Sequence, residues 1–584
     1  MSAPSPRPRG NVSSHTVRRP YLKALGEGAA ILLISLLAVR LFVRVPYHMT
    51  VYSMYCNLAW IYYPLNGMEP LSRLWDLALF PDFKFLMPAA APRWMTALWD
   101  SIPFVDAYLP LRADSWVGSL QSLIYLPLFL LWPSPDSVRF LGLLFLALQA
   151  LLIRRITGGD TLLIFAMLLA FMPYSFQHII DVSMVAYQLT CLYIVVWLVT
   201  AWGRRAAQEG RLHWRYPLGA GAATFLGIWF KLSFLFYLPA IALFVLRAAV
   251  VLRPLLARPA GRRRFIAQCA LMALAAGAPS AALLDAQPRV GTARHMRYYG
   301  ISESCVRIGM EEGGFRYAPL GHLISISRYL TNPLQTAQDI YITDVLVTPS
   351  GVAALAAAAL LFPYGAVRIR RRGGGLGFLA VNAIALSFTT LAIVSHPAAA
   401  AMRHVILAYP FGILALFSIR AELRGDRVVT ALFALLAALG LWHYHSLSGM
   451  DWREWMRRQG TGGALVPNFA CLQEALDPHS GRYVFVHADW GTYHIKALYG
   501  PRDQCNVAAW PLDSMGTVLK VREICGRTGR RPMIIRMKEN SSSDIRFLRR
   551  HFPGLVRLRM DCDADPWEIW YQPWPRSRRY LYRG

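Results

Sequence analysis

Long apolar runs alternate with short basic clusters over most of the chain. Eleven of these runs are candidates for helices that cross a membrane, although several are short. They are Ala29–Val45, Val138–Ile153, Thr161–Phe176, Ser183–Trp202, Pro217–Phe230, Leu232–Leu252, Phe265–Leu284, Val352–Val367, Gly375–Val394, His404–Ile419 and Val428–His443. The pattern predicts an all-α polytopic membrane domain of about eleven transmembrane helices over residues 21–444.

The basic clusters predict how the helices are oriented. Each pair of successive clusters brackets two apolar runs, so the chain is expected to leave and re-enter the same side as helical hairpins. Positively charged loops are retained on the cytoplasmic side of a membrane. The N-terminus is therefore predicted inside and the C-terminus outside. The clusters are Arg154-Arg155, Arg204-Arg205, Arg253 to Arg264, Arg368 to Arg372 and Arg420 to Arg427.

One further apolar segment, Val117–Leu131, does not fit this alternation, because crossing the membrane there would turn every later cluster outward. Its neighbours Trp116, Tyr125 and Trp132 are residue types that favour the interface between membrane and water. We therefore predict a helix that lies in the outer interface or re-enters the membrane.

The remaining segments are predicted to lie outside the transmembrane helices. Residues 1–20 are rich in Pro, Ser and Arg and are expected to form a disordered basic cytoplasmic tail. Residues 46–137 and 285–351 form long outer loops. Residues 445–584 contain the strand-like runs RYVFVHA, RPMIIRM and WEIWYQ between helical stretches. They predict a small extracytoplasmic α/β domain.

The composition supports a membrane protein over a nucleic-acid binder. The chain is 55% hydrophobic and carries a formal net charge of +28, and most of the basic clusters lie between apolar runs. Such loops suit an anionic cytoplasmic leaflet. Four of the eight cysteines, Cys471, Cys505, Cys525 and Cys562, fall in the external domain, where the choice between one or two disulfides and reduced thiols stays open.

The first outer loop supplies candidate catalytic acids. Asp106 and Asp114 come just before the predicted interfacial helix. A carboxylate at the outer mouth of a membrane cavity is placed to take a proton from an acceptor hydroxyl. The alternative is that both are ordinary solvated loop acids.

Further candidates for substrate binding lie at the outer ends of predicted spans. His178 and Asp181 occupy a short outer turn, where Asp181 also suits a helix N-cap. Lys231 interrupts an apolar stretch and is either a ligand for an anion, such as a lipid phosphate, or a snorkelling side chain. Arg403 and His404 precede another span, where they suit phosphate or lipid headgroups.

The sequence contains no Walker A loop, no GxSxG and no HExxH motif, so it gives no support to a nucleotide-driven pump or a soluble-type hydrolase. No inverted repeat is evident, which disfavours a secondary transporter. We expect no cofactor. A divalent metal is compatible with the chemistry, but no dense acidic cluster indicates one.

Several segments together resemble the GT-C superfamily of membrane glycosyltransferases, near the protein mannosyltransferase and aminoarabinose transferase group. The similar segments are residues 116–159, 172–198 and 226–240, with VHADWGTYHIKAL in the external domain. The resemblance implies transfer of a sugar from a polyprenyl-phosphate donor to an external acceptor, usually with inversion. It also implies an acidic base in the first outer loop and basic residues at the lipid phosphate.

The chain departs from that family soon after the first span. The family carries an acid there, whereas this sequence reads RVPYHMTVYSMYCNLAWIYYPLN and has its first acid at Glu69. Either the base has moved to Asp106 or Asp114, or the activity is lost.

The leading hypothesis is therefore a glycosyltransferase of the bacterial plasma membrane. Its expected partners are a polyprenyl-phosphate sugar, a glycolipid, polysaccharide or protein acceptor, and the lipid bilayer, with no nucleic acid. The alternatives are a transporter or flippase of lipid-linked envelope precursors and a non-catalytic envelope-assembly protein.

Overall fold

A computed structural model describes most of the helical part of the chain and much of its C-terminal part. The described residues are 120–131, 135–171, 174, 178, 184–285, 349–395, 406–448, 475–487, 505–508, 515–537, 545–559 and 567–574, with four isolated residues between 26 and 31. Five predicted site residues, Asp106, Asp114, Asp181, Arg403 and His404, lie outside them.

Twelve helices form the first part of the described structure. They are α1 (Leu120–Leu131), α2 (Pro135–Thr157), α3 (Thr161–Ala170), α4 (Met184–Glu209), α5 (Arg215–Phe230), α6 (Leu238–Val251), α7 (Arg253–Leu256), α8 (Pro259–Asp285), α9 (Pro349–Arg371), α10 (Gly377–Ser395), α11 (Tyr409–Glu422) and α12 (Arg427–Ser448). A 3₁₀ helix, Leu232–Tyr237, joins α5 to α6.

Within these residues, four helices are long and apolar enough to cross a membrane. They cover Arg139–Thr157, Val185–Glu209, Leu232–Val251 and Pro259–Leu283, the third of which combines the 3₁₀ helix with α6. Three shorter apolar helices accompany them. The chain is therefore a mostly helical membrane protein, and the count of about eleven spans stays a prediction.

Helix α3 is shorter than the apolar run that predicts it. The run extends to Phe176, but the helix ends at Ala170 and Phe171 adopts an extended backbone. The sequence places Pro173 two residues later. Proline lacks an N–H group and disfavours a helical conformation in the residue before it, so the helix ends early.

Helix α4 lies at the centre of the bundle. In the candidate span of α4, 78% of the residues are buried inside the protein, whereas the figure for the candidate span of α8 is 22%. Helices α2, α5 and α6 pack around α4, and α8 packs against the outer side of α5. Large apolar side chains on outer helices, including Val250, Leu274 and Leu360, are more than 60% exposed. Such an apolar outer surface suits contact with lipid.

Glycines allow two close helix contacts. A Cβ at Gly221 on α5 would lie 2.4 Å from the Met272 carbonyl oxygen on α8, and a Cβ at Gly440 on α12 would lie 2.5 Å from the Ala170 carbonyl oxygen on α3. Small residues at such crossings are typical of helices that associate within membranes.

Arginines join the helix ends at one side of the bundle. Arg204 on α4 donates to the Ile156 carbonyl oxygen at 3.2 Å, and Arg424 donates to the Gly158 carbonyl oxygen. Arg368 on α9 pairs with Asp426 at 3.2 Å. These contacts gather four of the basic clusters at one end of the bundle, as the alternation of apolar runs predicts. Which side of the membrane this end faces stays a prediction.

Asp426 links the end of α9 to the start of α12. Its carboxylate accepts hydrogen bonds from the Val428 and Val429 N–H groups at 3.1 and 3.3 Å, as a helix N-cap does. It also accepts from the Tyr364 hydroxyl and the Arg368 guanidinium, at 3.1 and 3.2 Å. Burial alone would raise the pKa of Asp426, but these donors together lower it below its usual value.

We expect Asp426→Ala to lower the melting temperature in detergent roughly two to three times as much as Asp160→Ala does. Asp160 also caps a helix at this end, but it is exposed and accepts one hydrogen bond, from the Leu163 N–H at 3.1 Å. Because the folded-state pKa of Asp426 is lowered, its contribution is present above the unfolded pKa of about 3.9 and is lost as the pH falls below it. Equal effects of the two substitutions would contradict the interlocking role.

The apolar segment at Val117–Leu131 forms helix α1 over its last twelve residues, as predicted. The interfacial or re-entrant position of this helix stays a prediction. Tyr125 is fully buried and its hydroxyl contacts the Tyr187 hydroxyl on α4. A buried tyrosine satisfies its hydroxyl inside the protein. Trp116 and Trp132 lie outside the described residues.

The C-terminal part contains a five-stranded mixed sheet in the order β2-β1-β3-β5-β4. Its elements are β1 (Tyr483–His487), β2 (Cys505–Ala508), α13 (Met515–Thr528), β3 (Arg531–Met537), α14 (Ile545–His551), β4 (Val556–Arg557) and β5 (Trp567–Tyr571). Strand β1 pairs in parallel with β2 and β3, whereas β5 runs antiparallel to β3 and β4.

The three strand-like runs of the sequence correspond to β1, β3 and β5, so these predictions are confirmed. All five residues of β1 are buried, as expected for a central parallel strand. Arg536 and Glu568 face each other across β3 and β5 and pair at 3.2 Å. Cys471 and Cys562 lie outside the described residues, so disulfides in this domain stay a prediction.

Candidate functional site

The first turns of α4 carry a cluster of polar side chains that the bundle encloses. Gln149 on α2 is at its centre and is fully buried, as are Tyr174 and His178 in the connection between α3 and α4. The Gln149 Nε2 atom lies 2.8 Å from His178 Nε2 and 2.7 Å from the Thr190 hydroxyl on α4. The Gln149 Oε1 atom accepts a hydrogen bond from the Tyr174 hydroxyl. One amide thus joins three segments of the chain.

The contacts of His178 assign its tautomer. Its Nδ1 atom lies 2.7 Å from the Tyr174 carbonyl oxygen, which only accepts hydrogen bonds, so Nδ1 carries the proton. The Nε2 atom is then an acceptor and receives one N–H from Gln149. The imidazole also stacks on the Tyr174 ring, with centroids 4.5 Å apart. The ring is therefore neutral, and both of its nitrogen atoms have a hydrogen-bond partner.

Burial also favours the neutral form of His178. It lowers the pKa of the imidazole to about 4, although the hydrogen bond to Tyr174 acts in the opposite direction. Because both ring nitrogens have partners inside the protein, any effect of His178 on a substrate would pass through the connection that it holds in place.

The polar cluster continues towards α6 through tyrosine hydroxyls. The Tyr174 and Tyr193 hydroxyl oxygens are 3.3 Å apart. Tyr237, at the end of the 3₁₀ helix, is fully buried, and its hydroxyl has no hydrogen-bond partner among the residues that the structure describes. These hydroxyls belong to the inner packing of the bundle, between α4 and the 3₁₀ helix.

Aromatic rings surround the start of α4 on its other side. The Tyr187 ring stacks on Phe230 at the end of α5, with centroids 5.0 Å apart, and meets Phe145 on α2 edge-on at 4.4 Å. It also meets Tyr125 on α1 edge-on at 5.8 Å. Tyr187 therefore fixes α1, α2 and α5 to the same turn of α4.

Lys231 stands at a break between helices. It follows the last residue of α5, has an extended backbone with φ −162° and ψ 136°, and precedes the 3₁₀ helix. Its N–H donates to the Gly227 carbonyl oxygen at 3.3 Å, and its carbonyl oxygen accepts from the Phe234 N–H at 3.0 Å. The side chain is partly exposed. A helix break thus places a cation at the end of an apolar helix, as the sequence predicts.

The break depends on the absence of a side chain at Gly227. A Cβ there would lie 2.4 Å from the Phe234 ring, which folds back onto α5 and is fully buried. The close approach of ring and backbone closes the turn that contains Lys231.

Lys231 lies far from the basic end of the bundle. Gln188, on the second turn of α4, donates to the Lys231 carbonyl oxygen. Arg204, near the other end of α4, contacts the last turn of α2, at the basic end of the bundle. Arg204 is sixteen positions after Gln188 on the same helix, which is a rise of about 24 Å at 1.5 Å per residue. Lys231 and His178 therefore belong to one end of the bundle, and the four arginine clusters belong to the other.

Sequence reasoning missed the residues that organise this end, above all Gln149 and Gln188. Both interrupt apolar helices, in LALQALL and MVAYQLT. A polar residue within a membrane helix is costly unless it has a partner, and this signal would have drawn attention to them. Their partners, however, lie on other helices.

Within the described residues, no group of three or more His, Cys, Asp or Glu side chains comes close enough to hold a metal ion. The acids of the first outer loop lie outside this region. The expectation that the chain needs no metal therefore stays a prediction.

Comparisons with known proteins give little further information. No family model matches the sequence, and no curated protein matches it. Among solved structures, the apo form of the oligosaccharyltransferase of Archaeoglobus fulgidus matches with a TM-score of 0.38 and 12% sequence identity. The match covers 88% of this chain and 70% of that one. Similarity at this level assigns neither a fold nor an activity to the chain.

Proposed function

We propose that this protein is a membrane glycosyltransferase that moves a sugar from a polyprenyl-phosphate donor to an acceptor outside the plasma membrane. The observation that carries the proposal is the position of Lys231. A lysine at a helix break, at the end of the bundle opposite the arginine clusters, suits an anionic lipid headgroup in the outer leaflet. The sequence segments that resemble the GT-C superfamily support the same proposal.

The chemistry assigns a role to the cation. When the bond between the sugar and the phosphate breaks, negative charge grows on the departing phosphate oxygen. A lysine ammonium ion is a compact donor of hydrogen bonds to phosphate. A cation placed where charge develops stabilises the transition state more than the ground state. We assign this role to Lys231, with Arg403 and His404 as further phosphate ligands.

The acceptor side of the reaction requires a base. The acceptor hydroxyl loses its proton while its oxygen bonds to the sugar carbon, and a carboxylate takes that proton. We assign this step to Asp106 or Asp114. Asp181 positions a substrate at the outer turn, and His178 supports that turn through Gln149 and Tyr174.

The test is transfer of a labelled sugar from polyprenyl-phosphate donors in proteoliposomes, with envelope extract as the source of acceptor. We expect the wild type to transfer sugar. We expect Lys231→Leu to lower the rate about 100-fold, because one donor to a developing oxyanion is worth that much or more. Lys231→Arg, which keeps the charge, is the matched control and is expected to retain most of the activity.

The loop acids separate the alternatives. A loss of transfer in Asp106→Asn or Asp114→Asn identifies the base. If no donor from a panel of sugars is consumed, the enzyme proposal fails.

Movement of intact lipid-linked donor between leaflets would then favour a flippase. Full function of Lys231→Leu in cells, without transfer or transport, would favour an assembly protein.

A further inference from the structure

Gln188 contacts the chain on both sides of Lys231. Its side chain is fully buried on the second turn of α4. The Nε2 atom donates to the Lys231 carbonyl oxygen and lies 3.4 Å from the Gly227 carbonyl oxygen. The Oε1 atom accepts a hydrogen bond from the Ser233 hydroxyl at 3.0 Å. One amide thus connects the last turn of α5, the break and the start of the 3₁₀ helix.

These contacts supplement the backbone hydrogen bonds of the break. The Gly227 carbonyl already accepts the Lys231 N–H, and the Lys231 carbonyl already accepts the Phe234 N–H. The buried Gln188 amide thus adds a second donor to each of these two carbonyl oxygens and ties the break to α4.

We infer that Gln188 is a positioning residue that holds the Lys231 backbone so that its ammonium group meets the phosphate of a lipid-linked donor. This inference rests on the proposed function for the identity of the ligand. The lysine side chain has four flexible carbons and does not fix its own direction. The direction of its Cα–Cβ bond is set by the backbone. Gln188 bonds to the Lys231 carbonyl oxygen and to Gly227 and Ser233 on either side of it.

A control substitution is available on the same helix. Thr200 also lies on α4 and is 5% exposed, and its hydroxyl has no hydrogen-bond partner in the part of the chain that the structure describes. Thr200→Val therefore removes a buried polar atom from α4 without removing a hydrogen bond. Gln188→Leu removes three contacts at similar side-chain volume.

The first experiment measures the placement of Lys231 without any substrate. The purified full chain is treated with formaldehyde and a borohydride reagent, and methylation of each lysine is followed by peptide mass spectrometry. We expect Gln188→Leu to change the rate at Lys231 severalfold and to leave Lys520, on α13, unchanged. Thr200→Val is expected to change neither rate. An unchanged rate at Lys231, together with a lower melting temperature, would make Gln188 merely structural and overturn the inference.

The second experiment is a double-substitution cycle on sugar transfer. We expect Gln188→Leu to lower kcat about tenfold, with a smaller effect on the KM for the donor, because Lys231 is assigned to the charge that develops in the transition state. Because Gln188 acts only through Lys231, Gln188→Leu together with Lys231→Leu is expected to be no worse than Lys231→Leu alone. If the loss in the double variant equals the product of the losses in the two single variants, Gln188 acts independently of Lys231, which overturns the inference. If the wild type uses no donor, the proposed function fails, and the methylation rate alone decides whether Gln188 positions Lys231.

Discussion

Replacing Gly142 by alanine is expected to destabilise the bundle by about 3 kcal/mol or more, which corresponds to a fall in melting temperature of roughly 3–6 °C. A Cβ at this position of α2 would lie 1.7 Å from the His178 carbonyl oxygen and 2.8 Å from its carbonyl carbon. These are backbone atoms, so no rotation of a side chain relieves the overlap. The connection between α3 and α4 must move away from α2.

The matched control for this change is Gly277→Ala on α8. Apart from the backbone of its own helix, no atom of the described residues lies within 4 Å of a Cβ placed there. Alanine is also the better helix former by about 1 kcal/mol, so the control is expected to be neutral or slightly stabilising. Melting of both variants in the same detergent, followed by size-exclusion chromatography, makes the comparison. Wild-type stability of Gly142→Ala would mean that His178 does not pack on α2 as described.

Gln149→Leu is expected to cost about as much as the glycine substitution, for a different reason. The change leaves His178 Nε2 without its donor and removes the nearer acceptor of the Tyr174 hydroxyl, which keeps the Tyr193 hydroxyl at 3.3 Å. The Thr190 hydroxyl keeps its bond to the Ala186 carbonyl oxygen at 3.0 Å, so it also loses only part of its bonding. Each buried polar group that loses its partner costs about 1–3 kcal/mol. The full loss at His178 and the partial losses at Tyr174 and Thr190 give an expected total of roughly 3 kcal/mol.

Asn382→Leu on α10 provides the comparison for Gln149→Leu. Asn382 is also fully buried, but its amide bonds only to the Phe378 carbonyl of its own helix, at 2.8 Å, and its Oδ1 atom has no partner within the described residues. We expect little destabilisation from this variant. Thermal melts of the two variants in the same detergent compare their losses of stability. A loss near 0.6 kcal/mol for Gln149→Leu, the average for hydrogen bonds between membrane helices, would mean that the bundle repacks around the change.

Both predictions concern the same histidine. Gly142 and Gln149 are seven residues apart on α2, so they lie on the same face of that helix. Gly142 gives the His178 backbone room to approach, and Gln149 holds its ring. The sequence predicted His178 as a site residue at an outer turn. The structure adds that its ring is enclosed and that α2 determines its position.

A large part of the architecture was predictable from local patterns. The apolar runs predicted α2, α4, α5 and α8, because a helix in lipid must satisfy its backbone internally and present apolar side chains. The arginine clusters predicted which helix ends share a side. Alternation of apolar and polar residues predicted strands β1, β3 and β5. Each of these features depends on residues close together in the chain.

The candidate site was predictable only in part. Lys231 stood out because a charge within an apolar run is rare, and the break at this residue agrees with that prediction. The acids Asp106 and Asp114 lie outside the described residues and stay predictions. The end of α3 at Ala170 was missed because hydrophobicity alone continues to Phe176, while the backbone effect of Pro173 ends the helix.

The sequence by itself determined the class of the protein, the order of its helices and the basic end of its bundle. Only the tertiary structure decided that α4 is central and that Gln149 meets His178 while Gln188 meets Lys231. The physical reason is that the hydropathy or charge of a side chain decides by itself whether that residue lies in lipid or in water. A buried amide, by contrast, acts through a partner from another segment of the bundle, 29 residues away for Gln149 and 43 for Gln188. Its partner depends on which helices pack together, and no local pattern records that choice.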